Sequence, residues 1–255
     1  MFDTFTYAVI TNFIAGISLI AFITLLINIL LRHKKTTLVT CFIFILTIVG
    51  MYLYIPFHFL KTGFENEQPE KLQTAIKLSI NPYEKRICWN FLASIYAHDN
   101  FKQGIKDGNK AIEYMEKSIQ GEYEKYNLDT ILLGIWYSIK GDQEKVFELN
   151  KKVHNNLALR NIYIMNNEYE KTLTTFNFEK KNIEYYLIAD LYKKLGDTSK
   201  SKESLDIANE VFERQLNYYK NEKERNLLKN NTEKYKTTEN YKKWILQQRK
   251  EYKFE

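Results

Sequence analysis

The chain has 255 residues and a formal net charge of +6. Its mean hydropathy is −0.42, so most of the sequence outside two long apolar runs is polar. Only two cysteines occur, Cys41 inside an apolar run and Cys88 downstream, which excludes a disulfide framework in the polar part. Three prolines and few strong turn signals disfavour an all-β domain, and the composition predicts an all-α protein.

Two apolar runs lie near the start of the chain, at residues 7–31 and 38–60, and neither contains Asp, Glu, Lys or Arg. At 1.5 Å per residue, each run is long enough for a helix to cross a hydrocarbon layer about 30 Å thick. Residues 1–62 are therefore predicted to form a two-helix transmembrane hairpin in contact with the lipid bilayer. The chain as a whole is expected to be an integral, multi-pass membrane protein.

A basic turn joins the two predicted spans, through Arg32, Lys34 and Lys35. Positive residues near membrane ends are retained on the cytoplasmic side. We therefore expect both termini and the soluble domain to lie outside the cytoplasm. Long domains are sometimes positioned regardless of nearby charge, so the opposite topology, that of a cytoplasm-facing adaptor, stays open.

Residues 63–216 have apolar positions at spacings of three and four, which predicts amphipathic helices. Short polar turns interrupt the pattern about every thirty residues, and each turn separates the two amphipathic helices of a pair. These turns are Asp99-Asn100, Gly141-Asp142, Asn166-Asn167-Glu168 and Gly196-Asp197. A helix pair cannot cover its own apolar face, so a series of pairs predicts an α-solenoid.

The helix pairs between about residues 70 and 215 resemble tetratricopeptide repeats. The resemblance rests on a large residue, Leu, a small residue and Tyr on the first helix of a pair, and small residues on the second. The matching positions include Trp89, Leu92, Ala93, Tyr96, Ala111, Leu133, Gly134, Tyr137, Ile188, Ala189, Tyr192 and Ala208. The copies diverge in spacing, and Gly108 and Arg160 replace the expected residue types. The resemblance implies a solenoid whose groove binds a protein or peptide.

Residues 217–255 form a predicted helical tail, in which basic residues outnumber acidic ones and tyrosines are frequent. Basic residues with aromatic neighbours also occur in proteins that bind single-stranded nucleic acid. Acidic residues are interspersed along the whole tail, however, and the predicted topology places it away from cytoplasmic nucleic acid. We expect a solvated helix with one apolar stripe and no nucleic-acid partner, with Thr238 capping a last helix up to about Lys250.

No catalytic or cofactor motif stands out in the sequence. The four histidines are scattered singly, and the nine glycines form no phosphate-binding loop. We therefore predict that the chain is not an enzyme, that it holds no metal or cofactor, and that it has no small-molecule substrate. An unrecognised hydrolase is the enzyme-class alternative, because any two of the 31 acidic residues could meet in space.

The predicted function is that of a membrane-anchored scaffold for protein–protein interactions, using the groove of the helix pairs. A structural subunit of a larger membrane complex is the alternative. The candidate groove residues are Ile131, Ile135 and Ile139, which share one side of a helix that is apolar nearly all round. Such a helix needs neighbours on two sides to bury its apolar surface. The second cover is a partner, the stack itself, or this chain's own last helix through Tyr241, Trp244, Ile245 and Gln248.

Overall fold

The computed structural model describes residues 58–97 and 106–254, together with positions 24, 41, 42, 45, 49, 50 and 55. Helices joined by turns account for this part of the chain, and it contains no strand. The prediction of an all-α fold is therefore confirmed for these residues. The chain divides into two compact units: residues 1–95 with 99–104, and residues 96–98 with 105–255.

The first unit contains helical residues 58–65, helix α1 (Pro69–Leu78) and most of helix α2 (Pro82–Ala97). Pro69 and Pro82 each occupy the first position of a helix, where the missing N–H costs nothing. The core of this unit is small and apolar. Its fully buried members include Leu72, Ala75, Cys88, Leu92 and Ala93.

The structure does not support the predicted transmembrane hairpin. Among the described residues, no helix combines the length and the apolar composition that crossing a bilayer requires. The predicted spans lie outside the described residues, apart from the seven isolated positions and residues 58–60. The assignment as an integral, multi-pass membrane protein with an extracytoplasmic domain is corrected accordingly.

The residues that follow the second apolar run belong to a short helix with charged side chains. Residues 58–65 continue into a polar helical turn, in which Lys61 and Glu65 form an ion pair of 3.8 Å. The ring of Phe64 stacks on that of Phe91 with centroids 4.1 Å apart, and Gly63 lies against Leu72. Phe64 keeps 51% of its surface exposed, so the helix at the end of the second run is polar and only partly covered.

Cys88 provides a test of the packing of the first unit. Its side chain is fully buried, and burial raises the pKa of its thiol to about 12. Only the thiolate reacts readily, so we expect Cys88 to resist a thiol reagent at pH 8 in the native protein and to react rapidly in denaturant. A Cys41→Ser variant leaves Cys88 as the sole thiol. Labelling at the same rate in both conditions would contradict the described core.

The second unit contains nine of the described helices, from residue 108 to residue 251. They are α3 (Gly108–Ile119), α4 (Asn127–Lys140), α5 (Gln143–Asn150), α6 (Asn156–Met165), α7 (Tyr169–Leu173), α8 (Tyr185–Lys194), α9 (Thr198–Tyr218), α10 (Glu222–Glu233) and α11 (Thr238–Glu251). Helix α4 packs against α3, α5 and α6, and α8 packs against α7 and α9.

Three of the four predicted turns are confirmed, at Gly141-Asp142, Asn166-Asn167-Glu168 and Gly196-Asp197. Gly141 ends α4, and Gly196 lies in the turn after α8. Their φ values are 90° and 83°, which glycine reaches without steric cost. The aspartates that follow them then cap the next helices: the Asp142 carboxylate accepts from the Lys145 N–H, and that of Asp197 from the Lys200 N–H. The turn at Asp99-Asn100 lies outside the described residues.

Two of the small residues lie at contacts between helices. A Cβ atom at Gly134 would lie 2.8 Å from Nδ2 of Asn155, the residue that caps α6. On α8, the Ala189 carbonyl accepts a hydrogen bond of 2.8 Å from the Ser201 hydroxyl of α9. Helix α4 therefore approaches the start of α6 closely, and α8 is joined to α9. Whether they are true repeats remains a prediction.

Candidate functional site

The last helix, α11, lies across three other helices of the second unit. It packs against α4, α6 and α8, and we call the side of these helices that contacts α11 the receptor surface. Of the covers weighed for α4, the structure thus includes the chain's own last helix. The contacts fall into three groups, at the start, middle and end of α11.

The start of α11 is held by a carboxylate from α8. Both the backbone N–H and the hydroxyl of Thr238 donate to Oδ2 of Asp190, each over 2.8 Å. Thr238 occupies the first helical position, and the residue that caps α11 is Thr237, whose hydroxyl accepts from the Asn240 N–H. The predicted cap is thus displaced by one residue. A carboxylate is stabilised at this end of a helix by the free N–H groups and by the helix dipole.

The middle of α11 is buried and carries one polar relay. Tyr241 and Ile245 are 1% and 0% exposed. The Tyr241 hydroxyl donates to Oδ1 of Asn161 over 3.0 Å, and Asn161 in turn donates through Nδ2 to the Ser138 hydroxyl over 2.8 Å. Burial raises the pKa of Tyr241, so the phenol remains a neutral donor over the physiological range.

An apolar cluster surrounds the buried residues of α11. Its other buried members come from α6, α8, α9 and the segment before α8: Ile164, Phe176, Tyr185, Leu187, Ile188, Leu191 and Ala208. Trp244 is half-buried against this cluster. The ammonium group of Lys234 lies 4.5 Å from the centroid of the Trp244 ring. Burial lowers the pKa of Lys234. The apolar stripe predicted for the tail is therefore in contact with the helical stack.

The end of α11 reaches the far end of α4. Nε of Arg249 donates to the Ile139 carbonyl over 2.9 Å, and the guanidinium group lies close to Gly141. A cation is favoured at this position, because the last carbonyls of a helix lack backbone partners and carry partial negative charge. Lys106 pairs with Glu251, the last residue of α11, at 3.0 Å, and just after the helix the Tyr252 carbonyl accepts from the Gly108 N–H over 2.7 Å.

The ring of Phe254 fills the space at Gly108, the first residue of α3. A Cβ atom at residue 108 would lie 2.3 Å from the ring, closer than any real contact. The glycine that departs from the tetratricopeptide pattern thus has a local reason. We refer to the contact between Gly108 and Phe254 as the latch.

We expect Gly108→Ala to destabilise the protein by displacing Phe254, although alanine is by itself the better helix former by roughly 1 kcal/mol. In a Phe254→Ala background the same substitution is expected to be neutral or stabilising, because the clash is then absent. Urea unfolding of the four chains measures this coupling. Equal effects of Gly108→Ala in both backgrounds would contradict the latch.

Arg160 ties the segment between α7 and α8 to α6. It is 5% exposed, and its guanidinium group donates to Glu184 over 2.7 Å and to the hydroxyl and carbonyl of Thr175, each over 3.2 Å. The same group lies 3.8 Å from the centroid of the Phe176 ring. The Arg160 charge, which departs from the repeat pattern, therefore has partners for its guanidinium group. These contacts position Phe176 in the apolar cluster.

The predicted groove residues all belong to α4, one of the helices beneath α11. Ile139 is 4% exposed and its carbonyl binds Arg249, while Ile131 and Ile135 are half-buried. Gln248 is half-buried on α11. Sequence reasoning missed Asp190 and Asn161. The sequence did contain one signal: Asn161 on α6 and Asp190 on α8 are polar residues at positions where the helical spacing predicts an apolar one.

The described residues bring no three His, Cys, Asp or Glu side chains together in a way that would hold a metal ion. The absence of a cofactor stays a prediction. No family model, curated protein or solved structure matches the sequence. The chain therefore cannot be described as a tetratricopeptide-repeat protein on comparison, and its function is inferred from the site alone.

Proposed function

We propose that the second unit is a helical scaffold for protein–protein interactions, and that its receptor surface binds an amphipathic helix of a partner. One observation carries this proposal: α11 already lies on that surface as a helical ligand would, with an apolar stripe inward and polar contacts at both ends. Helices that insert an apolar face into a groove are a recurrent mode of peptide recognition.

The connection between α11 and the rest of the unit favours a replaceable occupant. Helix α10 precedes α11 and buries only Leu228 and Thr232 of its twelve residues. It makes few contacts with the other helices, so α11 is joined to the stack through a weakly packed arm. A tethered helix of this kind competes at an effective concentration on the order of millimolar. A partner helix must therefore bind strongly or find the tail already loosened.

The proposal can be tested with a variant that loosens the tail and leaves the receptor surface unchanged. Arg249→Ala with Phe254→Ala removes two of the contacts at the far end of α11, those with the Ile139 carbonyl and with Gly108, and we call this double variant the loosened chain. A photoreactive residue at Ile135 on α4 reports what occupies the surface. In the cells that make the protein, we expect more cross-linked partner with the loosened chain than with the wild type.

The matched control carries Lys223→Ala with Leu227→Ala, two exposed positions on α10. It is expected to cross-link as the wild type does. A synthetic peptide of residues 236–254 should suppress cross-linking in the loosened chain, because it occupies the same surface. Equal cross-linking by all three chains, unaffected by the peptide, would overturn the proposal.

A further inference from the structure

We infer that the partner helix carries the pattern Thr-x-x-Tyr-x-x-x-Ile-x-x-x-Arg, with serine acceptable in place of threonine. The inference rests on the proposed function and specifies its partner. It treats α11 as a template, since Thr238, Tyr241, Ile245 and Arg249 lie on one face of the helix and supply the contacts at its start, middle and end. Each position corresponds to a distinct feature of the receptor surface.

The first position is fixed by Asp190, whose carboxylate accepts two hydrogen bonds from Thr238. One bond uses the backbone N–H that any helix start offers, and the other requires a hydroxyl. A partner with an acidic residue here would place two carboxylates together and be rejected. The receptor surface therefore selects both the register and the direction of the incoming helix.

The second position is fixed by Asn161, which is fully buried and already donates to Ser138. Its Oδ1 atom accepts from the Tyr241 hydroxyl, so a helix with phenylalanine or leucine at this place would leave a buried acceptor without a donor. Sites built to bond a hydroxyl discriminate strongly against analogues that lack one. This contact is the main source of the expected specificity.

The third and fourth positions are an aliphatic residue and a cation. Ile245 is completely buried in the apolar cluster, which excludes a polar side chain. Four residues later, Arg249 donates to the Ile139 carbonyl at the end of α4. The exposed positions of α11, such as Leu246, contribute little, so they are free to differ in the partner.

The probes are synthetic peptides of residues 236–254, and the receptor is the full-length loosened chain. Binding is measured by fluorescence anisotropy of the labelled peptide. We expect Thr238→Val to weaken binding about tenfold, the loss of one hydrogen bond to a charged group. We expect Tyr241→Phe to weaken it by a similar factor, Ile245→Ser by about a hundredfold, and the control Leu246→Ser by less than about threefold.

A substitution at Asp190 tests the contact between this residue and the first position of the pattern. With Asp190→Asn in the loosened chain, the unmodified peptide should bind more weakly, and Thr238→Val should cost less than before, because the two substitutions remove the same interaction. Independent, additive effects would overturn the assigned register.

The remaining outcomes separate this inference from the proposed function. If the unmodified peptide binds and all four substituted peptides bind equally well, the surface accepts helices without this pattern, and the inference fails while the proposed function stands. If no peptide binds, both fail. If the loosened chain instead forms a concentration-dependent dimer that the peptide disperses, the natural occupant is α11 of a second copy, which also overturns the inference.

Discussion

Replacing Ile245 with alanine is expected to lower the free energy of unfolding of the second unit by about 3 kcal/mol. The side chain is 0% exposed and lies within the apolar cluster, so truncation removes buried methyl groups and leaves a cavity. Truncations of this kind cost about 2–5 kcal/mol. Urea unfolding of the full chain, followed by circular dichroism, measures the change.

The adjacent residue provides the control. Leu246 is 39% exposed on the same helix, and Leu246→Ala keeps helix propensity nearly unchanged. We expect it to change the free energy of unfolding by less than about 0.5 kcal/mol. A tail that was merely solvated would respond alike at both positions. Equal costs would therefore contradict the docked position of α11.

Replacing Arg160 with leucine is expected to cost about 3 kcal/mol, the second large effect. The substitution leaves the Thr175 carbonyl and hydroxyl without their guanidinium partner and leaves Glu184 unpaired. Removing one member of a buried ion pair costs about 3–5 kcal/mol, and the lower value applies because the Glu184 side chain is 26% exposed. Lysine is not expected to rescue the stability, because it cannot reproduce the forked geometry.

Amide hydrogen exchange adds a local readout for the same variant. Exchange should accelerate at the amides of residues 174–184, since Arg160 connects this segment to α6. Arg214→Ala serves as the comparison: its ion pair with Glu210 is solvent-exposed, and such pairs contribute little. If the amides of residues 174–184 exchanged at the same rates in Arg160→Leu as in the wild type, the role assigned to Arg160 would be contradicted.

The helices and turns of the second unit were largely predictable, because their signals are local. Glycine followed by aspartate ends one helix and caps the next at Gly141-Asp142 and at Gly196-Asp197, and both turns occur as expected. The apolar spacing of three and four identified the helices themselves. Local chemistry therefore determined the element order, while the repeat character of the pairs gained no support from comparison.

The position of the tail was not predictable to the same degree, because it depends on contacts between distant residues. Tyr241 and Asn161 are 80 positions apart, and Arg249 and Ile139 are 110 apart. Periodicity indicated an apolar stripe on the last helix but not the surface that covers it. The unusual Gly108 and Arg160 looked like departures from a pattern until their partners, Phe254 and Glu184, were known.

The apolar runs at the start led to a prediction that the structure does not support. Length and lack of charge predicted two membrane spans, yet neither property says what covers an apolar side chain. Just after the second run, the described helix carries the ion pair of Lys61 with Glu65, and Phe64 contacts Phe91 of the same unit. Interpretation of such runs therefore requires the neighbouring helices as well as the run itself.

The most direct test of the central claim is an exchange experiment on a cleaved chain. A protease site inserted between Tyr219 and Lys220, in the linker before α10, allows the tail to be cut after the protein has folded. A labelled peptide of residues 236–254 is then added, and the cut fragment and the label are separated by size. We predict that the fragment stays bound after cleavage and that excess peptide replaces it, while a Tyr241→Phe, Ile245→Ser peptide does not. A cut fragment that excess peptide never displaces would show that α11 is a permanent part of the core, and it would contradict the account.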